Sequence, residues 1–396
     1  MLLAGCASTT QTADNPLTSD VLVERLLAGE SVLRGRPLPS VPAHEILSLD
    51  ADMQAFLNVH VEGTAGLRRR LEQLLNAVVQ DANFGLNYEG RTRTASGTFH
   101  HRNGNCLAFT NMFVALAREV GLEATYQEVD IPPVWDRQGE TIVLNRHINV
   151  NVENVDNGGP AGMLTVWGKR NEHGSVVDFN VTEFRSFFRT ELISDQRAFA
   201  HYYSNLGVEE LHDGNLPLAL AFLRKSLEYE PAFAAAWSNL GVLYTRVDDL
   251  EAARQAYEIA LFHNDDSVTA RSNLASVLQR LGDTERANSL LAEVESYRNS
   301  SPYYRHYLAT QLAAEGDFDA ALSHLHYAVR KQPREERFRF ALSVVYTALG
   351  DDRAAARELG RAKRLASNPM AKRRYDIKLQ QLRQQIEQGE VTLAQR

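Results

Sequence analysis

Cys106, His147 and Asp178 follow one another at intervals of 41 and 31 residues. A thiol, an imidazole and a carboxylate brought together make a nucleophile, a base that takes its proton, and a group that fixes the imidazole tautomer. Such a set attacks a carbonyl carbon and passes through a thioester. The chain has only one other cysteine, Cys6.

Each of these side chains needs an element to hold it. In RNGNCLAFTNMFVALAREVGL, Phe109, Phe113, Leu116 and Val120 recur at helical spacing, so one stripe of a helix faces a core. Asn103 or Asn105 caps its start and Gly121 suits its exit, which places Cys106 in the first turn. The unsatisfied N–H groups there stabilise a thiolate, and a neighbouring imidazolium does so further. In HINVNV, alternation puts His147, Asn149 and Asn151 on one strand face and Ile148, Val150 and Val152 on the other. In SVVDFNV, Val176, Asp178 and Asn180 share a face, which leaves open whether Asp178 or Asn180 orients the histidine.

Upstream, Val61 to Asp81 reads as a helix, and GLNYEGRTRTASGTF as a loop. Beyond Gly121 come short extended runs: ATYQEV, TIVL, HINVNV, MLTVW and SVVDFNV. Helix followed by several strands predicts an α+β domain over about residues 40–195.

The stretch RNGNCLAFTNMFVALAREVGLEATYQEV resembles the core of the transglutaminase-like superfamily, in which G-x-C opens a helix that closes with R-x-x-G before a strand. Arg118 and Gly121 match that ending, and Thr94, Ala95 and Phe99 resemble its lead-in. His147 and Asp178 match the second and third catalytic positions. The resemblance implies a papain-like fold with Cys106 as nucleophile, His147 as base and Asp178 as orienting group. It implies attack on an amide, release of ammonia or an amine, and a thioester resolved by water or an acceptor amine. Hydrolase and acyltransferase share every step but the last.

The second half of the chain repeats. Gly214, Gly282, Gly316 and Gly350 are separated by 68, 34 and 34 residues, and the missing member of the series falls on Asp248. Leu206, Leu240, Leu274, Leu308 and Leu342 keep the same step, as do Ala219, Ala253, Ala287, Ala321 and Ala355. With Pro231, Trp237, Tyr244 and Tyr257, these match the 34-residue tetratricopeptide (TPR) pattern. Five repeats are expected over residues 200–367, then a capping helix and tail over 368–396. Paired helices of this length stack into an all-α superhelix with a concave surface that suits protein or peptide. Ser204, Val208, Ser238 and Val242 stand on concave positions, without the Lys and Asn set that clamps a C-terminal carboxylate. Arg361, Lys363, Arg364, Lys372, Arg373, Arg374 and Lys378 cluster after the last repeat and read as a solvated capping face.

The net charge of −8 is spread along 396 residues, which argues against a nucleic-acid partner. No run approaches the roughly 20 apolar residues of a membrane-spanning helix. The start, MLLAGCASTTQTADNP, resembles the lipobox of bacterial lipoproteins. That implies a lipid on Cys6, a flexible tether through residue 39, and anchoring to the outer membrane facing the periplasm. The charged and apolar parts of a signal peptide are missing before it, so the start is expected to be assigned too late or trimmed. With Cys6 acylated, Cys106 has no disulfide partner. His100, His101 and Cys106 do not complete a metal ligand set, and neither metal nor cofactor is expected. His324 and His326 point to different sides of a repeat helix and read as structural. Two readings result: an envelope-anchored amide-processing enzyme whose repeats recruit a protein, or an inactive scaffold of the same fold.

Overall fold

The structure, a computed structural model, describes residues 19–42, 44–80, 85–131, 147–155, 168–171, 174–179, 188–366 and 369–394. The chain forms two compact units, one of Met1–Pro42 with Phe199–Leu291, the other of Ala43–Ala198 with Ala292–Arg396.

Helices α1 (Asp20–Ala28) and α2 (Glu30–Leu33) open the first unit. Leu22, Val23, Leu26 and Leu27 give α1 an apolar face at helical spacing. Leu26, Val32 and Leu33 are buried in one core with Leu220, Leu240 and Tyr244. The Tyr244 hydroxyl donates to the Leu26 carbonyl, and Arg25 donates to Gln255 at 2.5 Å. Between the two helices Gly29 takes φ 64°, and a Cβ there would run into the Leu220 side chain. The expectation of a flexible tether through residue 39 is therefore corrected over Asp20–Leu33, because this segment carries enough apolar surface to fold onto the repeats. Cys6 lies outside the described residues.

The second unit begins with α3 (Ala51–His60) and α4 (Leu67–Leu75), the latter running into a wider π turn over Asn76–Gln80. A single helix from Val61 is not formed. Gly63 and Gly66 interrupt it, and Gly66 becomes the N-cap of α4. The expected loop before Cys106 contains β1 (Asn87–Tyr88), α5 (Ala95–His101) and β2 (Asn103–Gly104), with β1 and β2 pairing in parallel. α5 forms because Thr94 caps it, accepting from the Gly97 amide at 3.1 Å.

Next come α6 (Cys106–Glu119), β3 (Glu123–Val129), β4 (His147–Glu153), β5 (Gly168–Asn171), β6 (Gly174–Val177) and β7 (Thr190–Ile193). The five strands form an antiparallel sheet in the order β5-β6-β4-β3-β7. Residues 141–144 and 163–167, expected as strands, lie outside the described residues. α6 is buried on every side from Leu107 to Ala117, more completely than a single apolar stripe predicts. It is the central helix of an α+β domain. Thr110 on it donates to the Ile148 carbonyl at 3.1 Å, and Tyr126 of β3 donates to Asn111 at 2.8 Å.

From Asp195 onward the chain is helical: α7 (Asp195–Asp213), α8 (Leu216–Tyr229), α9 (Ala234–Arg246), α10 (Leu250–His263), α11 (Val268–Leu281) and α12 (Thr284–Ser300). α13 (Pro302–Glu315), α14 (Phe318–Lys331), α15 (Glu336–Ala348), α16 (Asp352–Leu365) and α17 (Pro369–Ala394) complete it. Gly214, Gly282, Gly316 and Gly350 all take left-handed φ values of 78–87°, and Asp248, which replaces glycine in the series, takes φ 65°. The 34-residue period is thus a period of helix exits. Gly241 serves a different end: a Cβ there would fall 2.5 Å from the Tyr257 ring, so its absence sets how closely α9 and α10 approach.

Candidate active site

The start of α6 is built by its two preceding residues. Asn105 is the N-cap: its side-chain oxygen accepts from the Ala108 amide at 3.0 Å, and its Nδ2 donates to the Thr92 hydroxyl at 2.7 Å. A Cβ at Gly104 would lie 2.6 Å from that of Ala108, so only glycine lets the chain turn into the helix this tightly. Cys106 is then the first helical residue, partly exposed and free of any disulfide. Of the two asparagines expected as caps, Asn105 fills the role, while Asn103 accepts from Arg93 at 2.9 Å.

His147 opens β4 opposite Val129 of β3 and is 2% exposed. Asp178 follows directly on β6 and is 3% exposed. The His147 ring Nε2 lies 2.8 Å from Asp178 Oδ1 and 2.7 Å from Oδ2, and the Cys106 side chain interacts with the same imidazole. All three sequence-predicted residues therefore meet. Asn180 lies outside the described residues, and the group on the histidine is Asp178. Phe179, next to Asp178, sits 5.9 Å from the Phe109 ring and 5.7 Å from the Phe113 ring, which fastens this loop to α6.

Burial by itself would lower the His147 pKa. The charge and hydrogen bond of Asp178, aided by Cys106, outweigh it and hold the imidazole up at about 10. The site thus keeps His147 as an imidazolium at neutral pH, with a proton ready for a leaving amine.

One polar partner goes beyond the three residues expected. Asn149, fully buried, donates from Nδ2 to Asp178 Oδ2 at 2.9 Å. The alternation in HINVN places it on the face of His147, which is the signal the sequence offers. Its own Oδ1 has no partner among the described residues, and neither has Oε1 of Gln127, its neighbour across the β3–β4 pair.

The nearby histidines are engaged elsewhere. His100 lies 2.8 Å from Asp50 Oδ2, and His101 bonds the Gly97 carbonyl at 2.8 Å. Asp50 caps α3 through the Asp52 and Met53 amides and also accepts from Ser96. Burial opposes its ionisation, yet these hydrogen bonds and His100 hold its pKa down to about 2. Asp50, Asp52 and His100 approach within 4.8 Å of one another, apart from Cys106.

A family model described as the transglutaminase-like superfamily matches residues 57–153, a span that contains Cys106 and His147. Models described as tetratricopeptide repeat match residues 204–267, 246–303 and 312–373. The chain carries a transglutaminase-like domain and TPR repeats. The TPR matches begin within α7 and end in the first turns of α17, and Asp178 stands beyond the span of the transglutaminase-like match.

None of the curated proteins matches the chain. Among solved structures, it is similar to YrrB, described as a TPR protein with an unusual peptide-binding site. Identity is 23%, over 45% of this chain and 91% of that one, with a TM-score of 0.25. It is similar to MamA from Desulfovibrio magneticus RS-1 at 17% identity over 43% and 96% of the two chains, TM-score 0.25. PilF of Pseudomonas aeruginosa matches at 20% identity over 48% and 94%, TM-score 0.26.

Proposed function

We propose that this protein is a transglutaminase-like cysteine enzyme acting on amide bonds of a protein or peptide, held in the bacterial envelope by a lipid on Cys6. Its TPR repeats recruit the protein partner. The observation that carries the enzymatic reading is the contact chain from Cys106 through His147 to Asp178. Cys106 Sγ attacks the amide carbonyl carbon, and the oxyanion forms beside the N–H groups of the first turn of α6. The C–N bond breaks as His147 gives its proton to the departing nitrogen. A thioester on Cys106 remains. Water or a second amine then attacks it, with His147 taking the proton of the nucleophile, and the thiolate is released.

The partial exposure of Cys106 beside a nearly buried His147 and Asp178 supports this assignment, since a nucleophile must be reached and its orienting groups need not be. The test is alkylation of the intact protein by iodoacetamide at pH 6, followed by peptide mass analysis. Cys106 is expected to react, and His147→Ala to slow the reaction at least tenfold. Equal rates in the two proteins would remove the enzymatic reading and leave a scaffold. Labelling of growing cells with an alkynyl fatty acid tests the anchor: Cys6→Ser abolishes incorporation if Cys6 is acylated.

A further inference from the structure

Between α16 and α17 lies a cavity of about 410 Å³ lined by Ala356, Arg357, Gly360, Arg361, Arg364 and Arg383. Arg357, Arg361 and Arg364 recur at steps of four and three residues, so they stand on one face of α16, and Arg383 meets them from α17. Arg361 pairs with Glu358 at 2.5 Å, and the other oxygen of that carboxylate is taken by Arg339 at 3.0 Å. Arg357, Arg364 and Arg383 have no ion pair among the described residues. No carboxylate lines the cavity. Gly360 leaves its floor open, since a Cβ there would meet nothing closer than 3.9 Å.

The surroundings reinforce the sign. Residues 330–383 hold 15 Lys and Arg against six Asp and Glu, in a chain whose net charge is −8. Converging guanidinium groups repel one another, and an oxyanion ligand relieves that repulsion while filling their planar forks. Arginine suits carboxylates here better than lysine would, because each fork offers two parallel N–H donors.

Shape narrows the ligand. Arg357 and Arg364 are about 10 Å apart along the helix at 1.5 Å per residue. Acidic side chains on every second residue of an extended chain fall about 7 Å apart, a spacing that lets two successive ones reach this row. A hollow between two helices accepts a chain laid along it. A flat lipid surface would find only Ala356 as an apolar contact in the lining.

The geometry points to this groove as a docking site for an extended acidic peptide segment of a protein partner, its carboxylates seated on Arg357, Arg364 and Arg383. Of the basic cluster expected as a solvated face, Arg361 and Arg364 line this groove. It is independent of the chemistry at Cys106.

The test uses the full chain and a fluorescein-labelled peptide of four Glu-Ser repeats, followed by anisotropy at moderate salt. The triple variant Arg357→Gln, Arg364→Gln, Arg383→Gln is expected to weaken binding at least tenfold. Arg373→Gln, Arg374→Gln, Lys378→Gln removes the same charge around a separate hollow on α17 and is expected to change it less than twofold. Gly360→Leu fills the floor, keeps every charge, and should weaken binding at least fivefold. Absence of peptide binding, equal loss in the two triple variants, unaltered binding in Gly360→Leu, or binding of phosphatidylglycerol vesicles in place of the peptide would each overturn the assignment.

Discussion

His147 Nε2 and Asp178 Oδ2 are 2.7 Å apart, with neither residue more than 3% exposed. A carboxylate so withdrawn from water needs a proton donor opposite it, and the imidazolium supplies one. Replacing Asp178 by Asn removes the main charge that offsets burial, so the His147 pKa must fall from about 10. Carbon-13 labelling of the imidazole follows this by NMR. In the wild type His147 stays protonated through about pH 8.5, and in Asp178→Asn it loses its proton at a lower pH. A ring with the same protonation in both proteins would refute the electrostatic account.

The same pair makes stability depend on pH. Because the folded pKa of His147 is raised to about 10 above an unfolded value of 6.5, its proton stabilises the native state fully below pH 6.5. That contribution declines as pH rises from about 6.5 to 10, at no more than about 1.4 kcal/mol per pH unit for one proton. Urea midpoints measured from pH 6 to 10 should fall more steeply in the wild type than in His147→Gln. Parallel curves would contradict the linkage.

Asn149 acts on Asp178 through one hydrogen bond, and losing it takes one of the donors from a buried carboxylate oxygen that His147 also meets. Asn149→Ala is expected to cost about 1–3 kcal/mol of stability. It should also slow alkylation of Cys106 several-fold. The two readouts separate a positioning effect from simple loss of fold: a folded variant that alkylates at the wild-type rate would show that Asn149 is only structural.

Leu26 is 1% exposed although it belongs to a segment that the lipobox resemblance implies is a tether. Leu26→Ala should destabilise the repeats around Leu220 and Tyr244 by about 2–5 kcal/mol, as a cavity in a core does. Thermal melts followed at the helical signal measure this, and an unchanged melting temperature would mean that α1 is not part of that core.

At Gly241 the prediction concerns the approach of two helices. A methyl group at 2.5–2.7 Å from the Tyr257 ring forces α9 and α10 apart, so Gly241→Ala should cost about 1–3 kcal/mol. Pairing it with Tyr257→Leu should recover part of that loss, and a double-mutant cycle reads the coupling.

Local physics makes much of this protein legible in the order of its residues. Helix exits at Gly214, Gly282, Gly316 and Gly350 recur because the left-handed turn is a property of the residue itself, and the repeat period follows from them. Capping at Asn105 and alternation around His147 are likewise settled by neighbours in the chain, which is why Cys106 reads as a helix start and His147 as part of a strand. What the amino-acid order leaves open depends on distant residues. Only the sheet pairing brings Asp178 to His147 across 31 residues and adds Asn149 to it. Only packing against Leu220 and Tyr244 turns the amphipathic residues 20–33 into core, and only the juxtaposition of α16 and α17 gathers Arg383 with Arg357 and Arg364. The sequence by itself determined the helices of the repeats, their exits and the chemical types at the site. Tertiary structure decided which of those types share a buried, low-dielectric space, and there the His147 pKa and the choice of Asp178 are set.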